Sequence, residues 1–226
     1  MMKILSPLVR EEEVKPLSEA GADEFYCGLV NPDGALNDRP NNDRNSFGDV
    51  THLQRAAKAA RRSKKRIYLA VNSPALDLEA AAAQARTAER IGMDGLIVSN
   101  LLLIQRVRDM GLKLELNASC LGAVFNSQSI RFFQQLGVST FHLPRQLGLE
   151  QLRMIRQELP DVRLSVFGMR GMCVNVEAFC LLHNLKEGYF VPCQHFRTLS
   201  VSGPGAATKA ALDKKINIPA YSCAQC

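Results

Sequence analysis

The sequence predicts an α/β fold: a (β/α)8-type TIM barrel, incomplete in its last unit and followed by a cysteine-rich segment. Three observations predict it. Short apolar runs alternate with single helical patterns along most of the chain, which implies a parallel sheet. Three helices end in the same way, at Ala20-Gly21-Ala22-Asp23, Ile91-Gly92-Met93-Asp94 and Leu136-Gly137-Val138-Ser139, each leading straight into an apolar strand. The glycine supplies the left-handed C-cap that such a turn needs. No Gly-rich dinucleotide fingerprint follows the first strand, so a barrel is favoured over a Rossmann sheet. Residues 1–168 read as the scaffold and 169–226 as a cysteine-rich segment of the same domain.

The elements follow in order. Ile4-Leu5 opens the first strand, which Ser6-Pro7 is expected to break, and a helix runs on to about Ala20. Glu24 to Cys27 is the second strand. Asn31 to Gly48 is rich in Asn, Asp, Pro and Gly without periodicity, a long polar loop of the kind that is usually functional or mobile. Thr51 is expected to cap a helix reaching Ser63, and Ile67 to Val71 is a strand. Asp77 begins an alanine-rich helix ending near Ile91; Leu96 to Val98 is a strand, and a helix from Leu101 stops before Gly111. Leu114 to Leu116, a helix from about Asn126 to Leu136, Phe141 to Leu143, a helix from Leu149 to Leu159, and Leu164 to Phe167 complete seven units. A closed barrel wants an eighth strand. Its absence would leave two strand edges uncovered; either the sequence is truncated or a partner completes the sheet.

Composition narrows the setting. No apolar run of 18 residues occurs, and the opening MMKILSPLVREEE turns acidic too soon for a signal peptide, so a cytoplasmic location is expected. The net charge of +6 is uneven. Between Arg55 and Arg66 lie seven basic residues and no acid, which would attract a phosphate-rich partner such as RNA or simply suit the negative end of a helix.

In parallel barrels the reactive groups sit at the C-terminal ends of strands. The polar residues just past each apolar run therefore form one expected mouth: Gly28, Asn72, Ser73, Ser99, Asn100, Asn117, Ser119, Arg145 and Arg170. Cys27 and Cys120 fall at or just past strand ends and read as lining or core.

Five of the seven cysteines follow the last strand, at Cys173, Cys180, Cys193, Cys223 and Cys226, separated by six, twelve, twenty-nine and two residues. In a reducing compartment clustered thiols bind metal or do redox chemistry. Zinc ribbons bring two tight Cys-x-x-Cys knuckles, and only one such pair is present. Widely spaced thiolates suit an iron–sulfur cluster. Spacing alone leaves a cluster, zinc and no metal all open.

Ala20-Gly21-Ala22-Asp23 leading into FYCGL, then LNASC, FHLPRQLGLEQL and VFGMRGMC with its following cysteines, resembles the U32 peptidase-like family over nearly the whole chain. The resemblance implies a (β/α)8 barrel carrying a 4Fe–4S cluster. Despite the family name, it also implies oxygen-independent hydroxylation of RNA bases or of a small aromatic quinone precursor, with prephenate as the oxygen source. Cys173, Cys180 and Cys193 match the first three cluster ligands. Cys223 is the better match for the fourth, with Cys226 as competitor. Arg145 matches an arginine of the strand-six motif that would clamp a carboxylate, and Arg170 would bind an anion or offset cluster charge. Some members work as heterodimers, so a related barrel is the expected partner. His183 and His195 lie inside the cysteine segment as proton or hydrogen-bond donors. Two other classes stay in view. A peptidase lacks both His-Glu-x-x-His and Gly-x-Ser-x-Gly here, which leaves a cysteine with His183. The third is a non-catalytic accessory subunit of a cluster-binding complex.

Overall fold

The computed structural model describes residues 2–30, 46–72 and 77–168. Within them, strands β1 (Leu5–Pro7), β2 (Glu24–Leu29), β3 (Ser46–Phe47), β4 (Arg66–Val71), β5 (Gly95–Val98), β6 (Glu115–Ala118), β7 (Val138–His142) and β8 (Arg163–Ser165) alternate with helices α1 (Val14–Glu19), α2 (Val50–Arg62), α3 (Leu78–Ile91), α4 (Leu101–Asp109), α5 (Ser127–Gln135) and α6 (Leu149–Glu158). The sheet runs β1-β2-β4-β5-β6-β7-β8, every pair parallel. Its seven long lanes are the seven predicted from the alternation of apolar runs and helices.

Helix starts follow side-chain chemistry. Asp77 accepts from the backbone N–H of Glu79 and Ala80, Asn100 from Leu102 and Leu103, and Asn126 from Ser129. Each satisfies donors that the first helical turn leaves open. At α2 the cap is Asp49, not Thr51: its carboxylate accepts from His52 N–H at 2.8 Å. Helix ends follow the glycines. Gly21, Gly92 and Gly137 adopt φ of +104°, +80° and +85°, as the repeated sequence predicts. Gly92 has a second constraint, since a Cβ there would meet the Arg61 guanidinium, whose Nη2 donates to Gly92 O at 2.6 Å.

Two other expectations are corrected. Ser6 and Pro7 belong to β1 rather than ending it; Pro7 lies on an edge lane, where a missing N–H costs least. The stretch expected as loop to Gly48 returns as β3 before that point. Glu24 N–H donates to Ile4 O and Val30 N–H to Phe47 O, so the even-numbered residues of β2 face β1 low in the lane and β3 above it.

The strands are sandwiched between two interiors. Alternate side chains, including Phe25, Cys27, Leu69, Leu96, Val98, Leu116 and Phe141, join one core with Leu53, Ala57, Ala85, Leu103 and Ile130 of the helices. The other set faces inward, where Tyr68, Ala70 and Ile97 form a second cluster with Leu5 and Tyr26. Between β6 and β7 the register skips Ser139, a bulge that restores Thr140 and His142 to the inner face. The sheet curls: Arg163 of β8 reaches Glu24 of β2 at 3.0 Å. No helix among the described residues is long and apolar enough to cross a membrane.

Candidate functional site

The inner face is polar at both levels, and the two levels differ in kind. At the strand starts lies a floor of charges. Arg163 bridges Glu24 (3.0 Å) and Glu115 (3.1 Å), Arg66 binds Glu115 and lies 3.7 Å from Asp94, and Lys3 reaches Glu24 at 2.9 Å. Ser139 and Thr140 hydroxyls each donate to Glu115 at 3.1 Å. Burial pushes the Glu115 carboxyl up, but the Arg66 hydrogen bond and the Arg66 and Arg163 charges outweigh it and hold it below the usual glutamate value. Burial, and then the Glu115 and Glu24 charges, push the Tyr68 phenol up to about 12. Arg66 also stacks over the Tyr68 ring at 5.2 Å. Every charge of this floor has an opposite partner.

One step up, register places Ala70, Ile97, Asn117 and Thr140 side by side. Asn117 is 2% exposed, and its Oδ1 has no hydrogen-bond partner among the described residues. His142, two residues beyond Thr140, keeps part of its ring open, while its Nε2 is buried and also unpartnered. Burial, and then the Arg163 charge, hold its pKa down to about 4, so the imidazole is neutral. Tyr26 pairs in register with Tyr68, just below this level; burial, and then the nearby Cys120, raise its phenol.

The rim lies at the strand ends. Ser99 Oγ donates to Asn72 O at 3.4 Å. Asn100 caps α4 and Ser119 Oγ accepts from Leu121 N–H, so these two do structural work. Arg145 is not a surface arginine: it is 7% exposed, with its guanidinium carbon 5.3 Å from the centre of the Phe167 ring. Gly28 lies in β2 opposite Ser46. Cys120 is half-buried, whereas Cys27 is buried in the outer core, donates to Tyr68 O, and has its thiol pushed up by burial. That thiol belongs to the core, one of the two places expected for it, and is unsuited to nucleophilic work.

Ser73, Arg170, Cys173, Cys180, Cys193, Cys223, Cys226, His183 and His195 lie outside the described residues. Among the described residues, no group of three or more His, Cys, Asp or Glu is placed to hold a metal.

The basic run turns out to sit at the wrong end for the mouth. It closes α2 and opens β4, at the strand starts. Arg55 and Arg62 lie 3.7 and 3.9 Å from Glu11, Lys65 lies 4.0 Å from Asp23, and Arg66 belongs to the floor. The inward residues that sequence reading missed are His142 at the upper level and Glu24, Tyr26, Tyr68, Glu115 and Arg163 below it. The signal was a period of two inside strands read only as apolar: Glu24-x-Tyr26-x-Gly28, Arg66-x-Tyr68-x-Ala70-x-Asn72, Glu115-x-Asn117-x-Ser119.

Comparison with known proteins adds ancestry to this geometry. The model of the family described as "Peptidase family U32" matches residues 10–191. The chain is 28% identical over 182 residues to the tRNA hydroxylation protein P of Escherichia coli, covering 80% of this chain and 39% of that protein. It is 29% identical over 199 residues to the "Uncharacterized protease MJ0090" of Methanocaldococcus jannaschii, covering 85% and 46%. Against the E. coli 23S rRNA 5-hydroxycytidine C2501 synthase the figures are 25% over 189 residues, 83% and 27%. The chain thus spans less than half the length of these curated relatives. Among solved structures, the U32 peptidase Mk0906 superposes with a TM-score of 0.60 at 14% identity, over 84% of this chain and 76% of that one. A tryptophan synthase chain from M. tuberculosis gives 0.54 at 15% identity over 75% of each, a likeness of fold alone.

Proposed function

The chain belongs to peptidase family U32, and on that premise we propose that it is an iron–sulfur hydroxylase, or a subunit of one, acting on RNA bases without molecular oxygen. The observation that carries this reading is the extent of the family match. Residues 10–191 run unbroken from the first helix, past Asn117, His142 and Arg145 at the mouth, to Cys173 and Cys180. Two relatives matched over most of this chain are named for hydroxylated tRNA and for hydroxycytidine in 23S rRNA.

In this reading Cys173, Cys180, Cys193 and Cys223 hold a 4Fe–4S cluster, which when bound supplies the redox chemistry. Zinc on the same thiolates is the competing occupant. The chain's own residues do the positioning. Arg145, buried and braced on Phe167, offers a fixed cation that binds a carboxylate through two parallel hydrogen bonds. A carboxylate-bearing oxygen donor such as prephenate suits it, and Arg170 adds a second cation. Below, the paired floor keeps the strands in register so that the mouth holds its shape. A related barrel as heterodimer partner and a cytoplasmic setting fit the same reading.

The test is anaerobic purification followed by counting iron and sulfide and recording the visible spectrum. Roughly four of each per chain are expected, falling in Cys173→Ala and Cys223→Ala. RNA from a strain lacking the gene, analysed by mass spectrometry, should lose one hydroxylated pyrimidine. Colourless protein holding stoichiometric zinc, or unchanged RNA, overturns the proposal. The peptidase reading rests on the family's description and the protease named among its relatives; cleavage of casein or gelatin by iron-free protein would establish it instead.

A further inference from the structure

Among the described residues, the level above the floor holds two buried polar atoms without a hydrogen-bond partner, and their chemistry is specific. Asn117 Oδ1 is an acceptor with no donor, in a residue 2% exposed. His142 Nε2 is buried without a partner on the neighbouring strand. Because Asn117 pairs with Thr140 in register and His142 lies two residues on, the two positions are one diagonal step apart, roughly 8 Å between backbones. A buried polar atom left unmatched costs about 1–3 kcal/mol, and a ligand that matched both would recover that cost.

Charge excludes most candidates. An acceptor oxygen repels a carboxylate or phosphate, and the floor cation Arg163 is already shared by Glu24 and Glu115. A cation finds no unclaimed carboxylate in the floor, where Glu24 and Glu115 are held by Lys3, Arg66 and Arg163. What remains is a neutral edge presenting an N–H donor next to an acceptor. Uracil offers N3–H beside O4; cytosine offers its N4 amino group beside N3. Each would donate to Asn117 Oδ1 and accept from a neutral His142 protonated on Nε2.

We propose that Asn117 and His142 together receive the donor–acceptor edge of a pyrimidine base drawn into the barrel mouth, beneath Arg145. The base reading rests on the hydroxylase proposal above; the demand for a neutral donor–acceptor edge rests on the inner wall alone. Arg145 and the Asn117–His142 pair then divide the mouth between an anion at the rim and an uncharged ring below it. Hydrogen bonds to an exocyclic group and a ring nitrogen would hold the base by its edge and leave its other edge to react.

The experiment titrates the full chain with uridine, cytidine and N3-methyluridine, and repeats the titration with Asn117→Leu and His142→Phe. Uridine should bind roughly tenfold more weakly to each variant, the effect of one lost hydrogen bond to a buried partner. N3-methyluridine should bind the unaltered protein about tenfold more weakly than uridine. In case either variant fails to fold, nitrogen NMR of the unaltered chain reads the same contact: adding uridine should shift His142 Nε2. Nucleoside affinity indifferent to both substitutions and to N3 methylation, or an Nε2 signal that uridine leaves unmoved, overturns the proposal. The two proposals fail separately. Unmodified RNA with residue-dependent nucleoside binding removes the hydroxylase and keeps the pair; modified RNA with indifferent binding removes the pair alone.

Discussion

The floor and the level above it occupy the same inner face, and on β6 Glu115 and Asn117 stand two residues apart. Glu24, Arg66, Glu115 and Arg163 satisfy one another, while Asn117 and His142 face inward with atoms unclaimed. Buried polarity by itself is therefore a poor sign of function. A polar group that is paired specifies a fold, by tying distant strands to one register; one that is unpaired is open to a ligand. Arg163 to Glu24, 139 residues apart in sequence, shows the first role.

The comparison can be broken experimentally, and the largest effect should come from the floor. Arg163→Met leaves the Glu24 carboxylate, in a side chain only 7% exposed, with Lys3 as its remaining cation among the described residues. Urea denaturation should show a loss of about 3 kcal/mol, since removing one partner strands a buried charge; a loss under 1 kcal/mol would mean that the floor does not hold the curl.

The next effect is acid sensitivity from the upper level. The unfolded imidazole takes up its proton near pH 6.5, the folded His142 only near 4, with Arg163 as the charge facing it. Across that interval the unfolded chain binds more protons, so stability is full above pH 6.5 and falls as the pH falls, by at most about 3 kcal/mol. Read between pH 6.5 and 5, before the glutamates titrate, His142→Phe should flatten this slope. An unchanged slope would show that the imidazole is not held neutral.

A smaller effect is expected at Gly92→Ala, where φ is +80° and the new methyl meets Arg61. A melting curve should report about 1–2 kcal/mol of destabilisation. Smallest of all is Asn117→Leu, which removes a buried acceptor that nothing in the fold satisfies. Its stability should change by under about 1 kcal/mol, in the stabilising direction, while uridine binding weakens roughly tenfold. A large destabilisation would place Asn117 with the floor.

Much of this was legible locally. Gly21, Gly92 and Gly137 marked helix ends because only a left-handed turn leads into the next strand there. Asp77 and Asn126 marked helix starts because their oxygens can reach the next N–H groups. Thr51 misled because Asp49, two residues earlier, accepts from His52 N–H and starts the helix first. Arg145 was found from its place past an apolar run, but its burial against Phe167 was not, since 22 residues and a helix separate them. His142 was read as part of an apolar strand because the bulge at Ser139 resets which side faces in, and a bulge leaves no mark in a hydrophobic pattern.

The sequence by itself determined the alternation of strand and helix, the parallel order, the turn glycines and the thiols of the C-terminal segment, because each depends on residues within a few positions of one another. Only the tertiary structure decided which inward polar groups are paired and which are left open. Whether Glu115 meets Arg163 and whether Asn117 meets nothing depends on how far the sheet curls, and curl is a sum over all the strands at once.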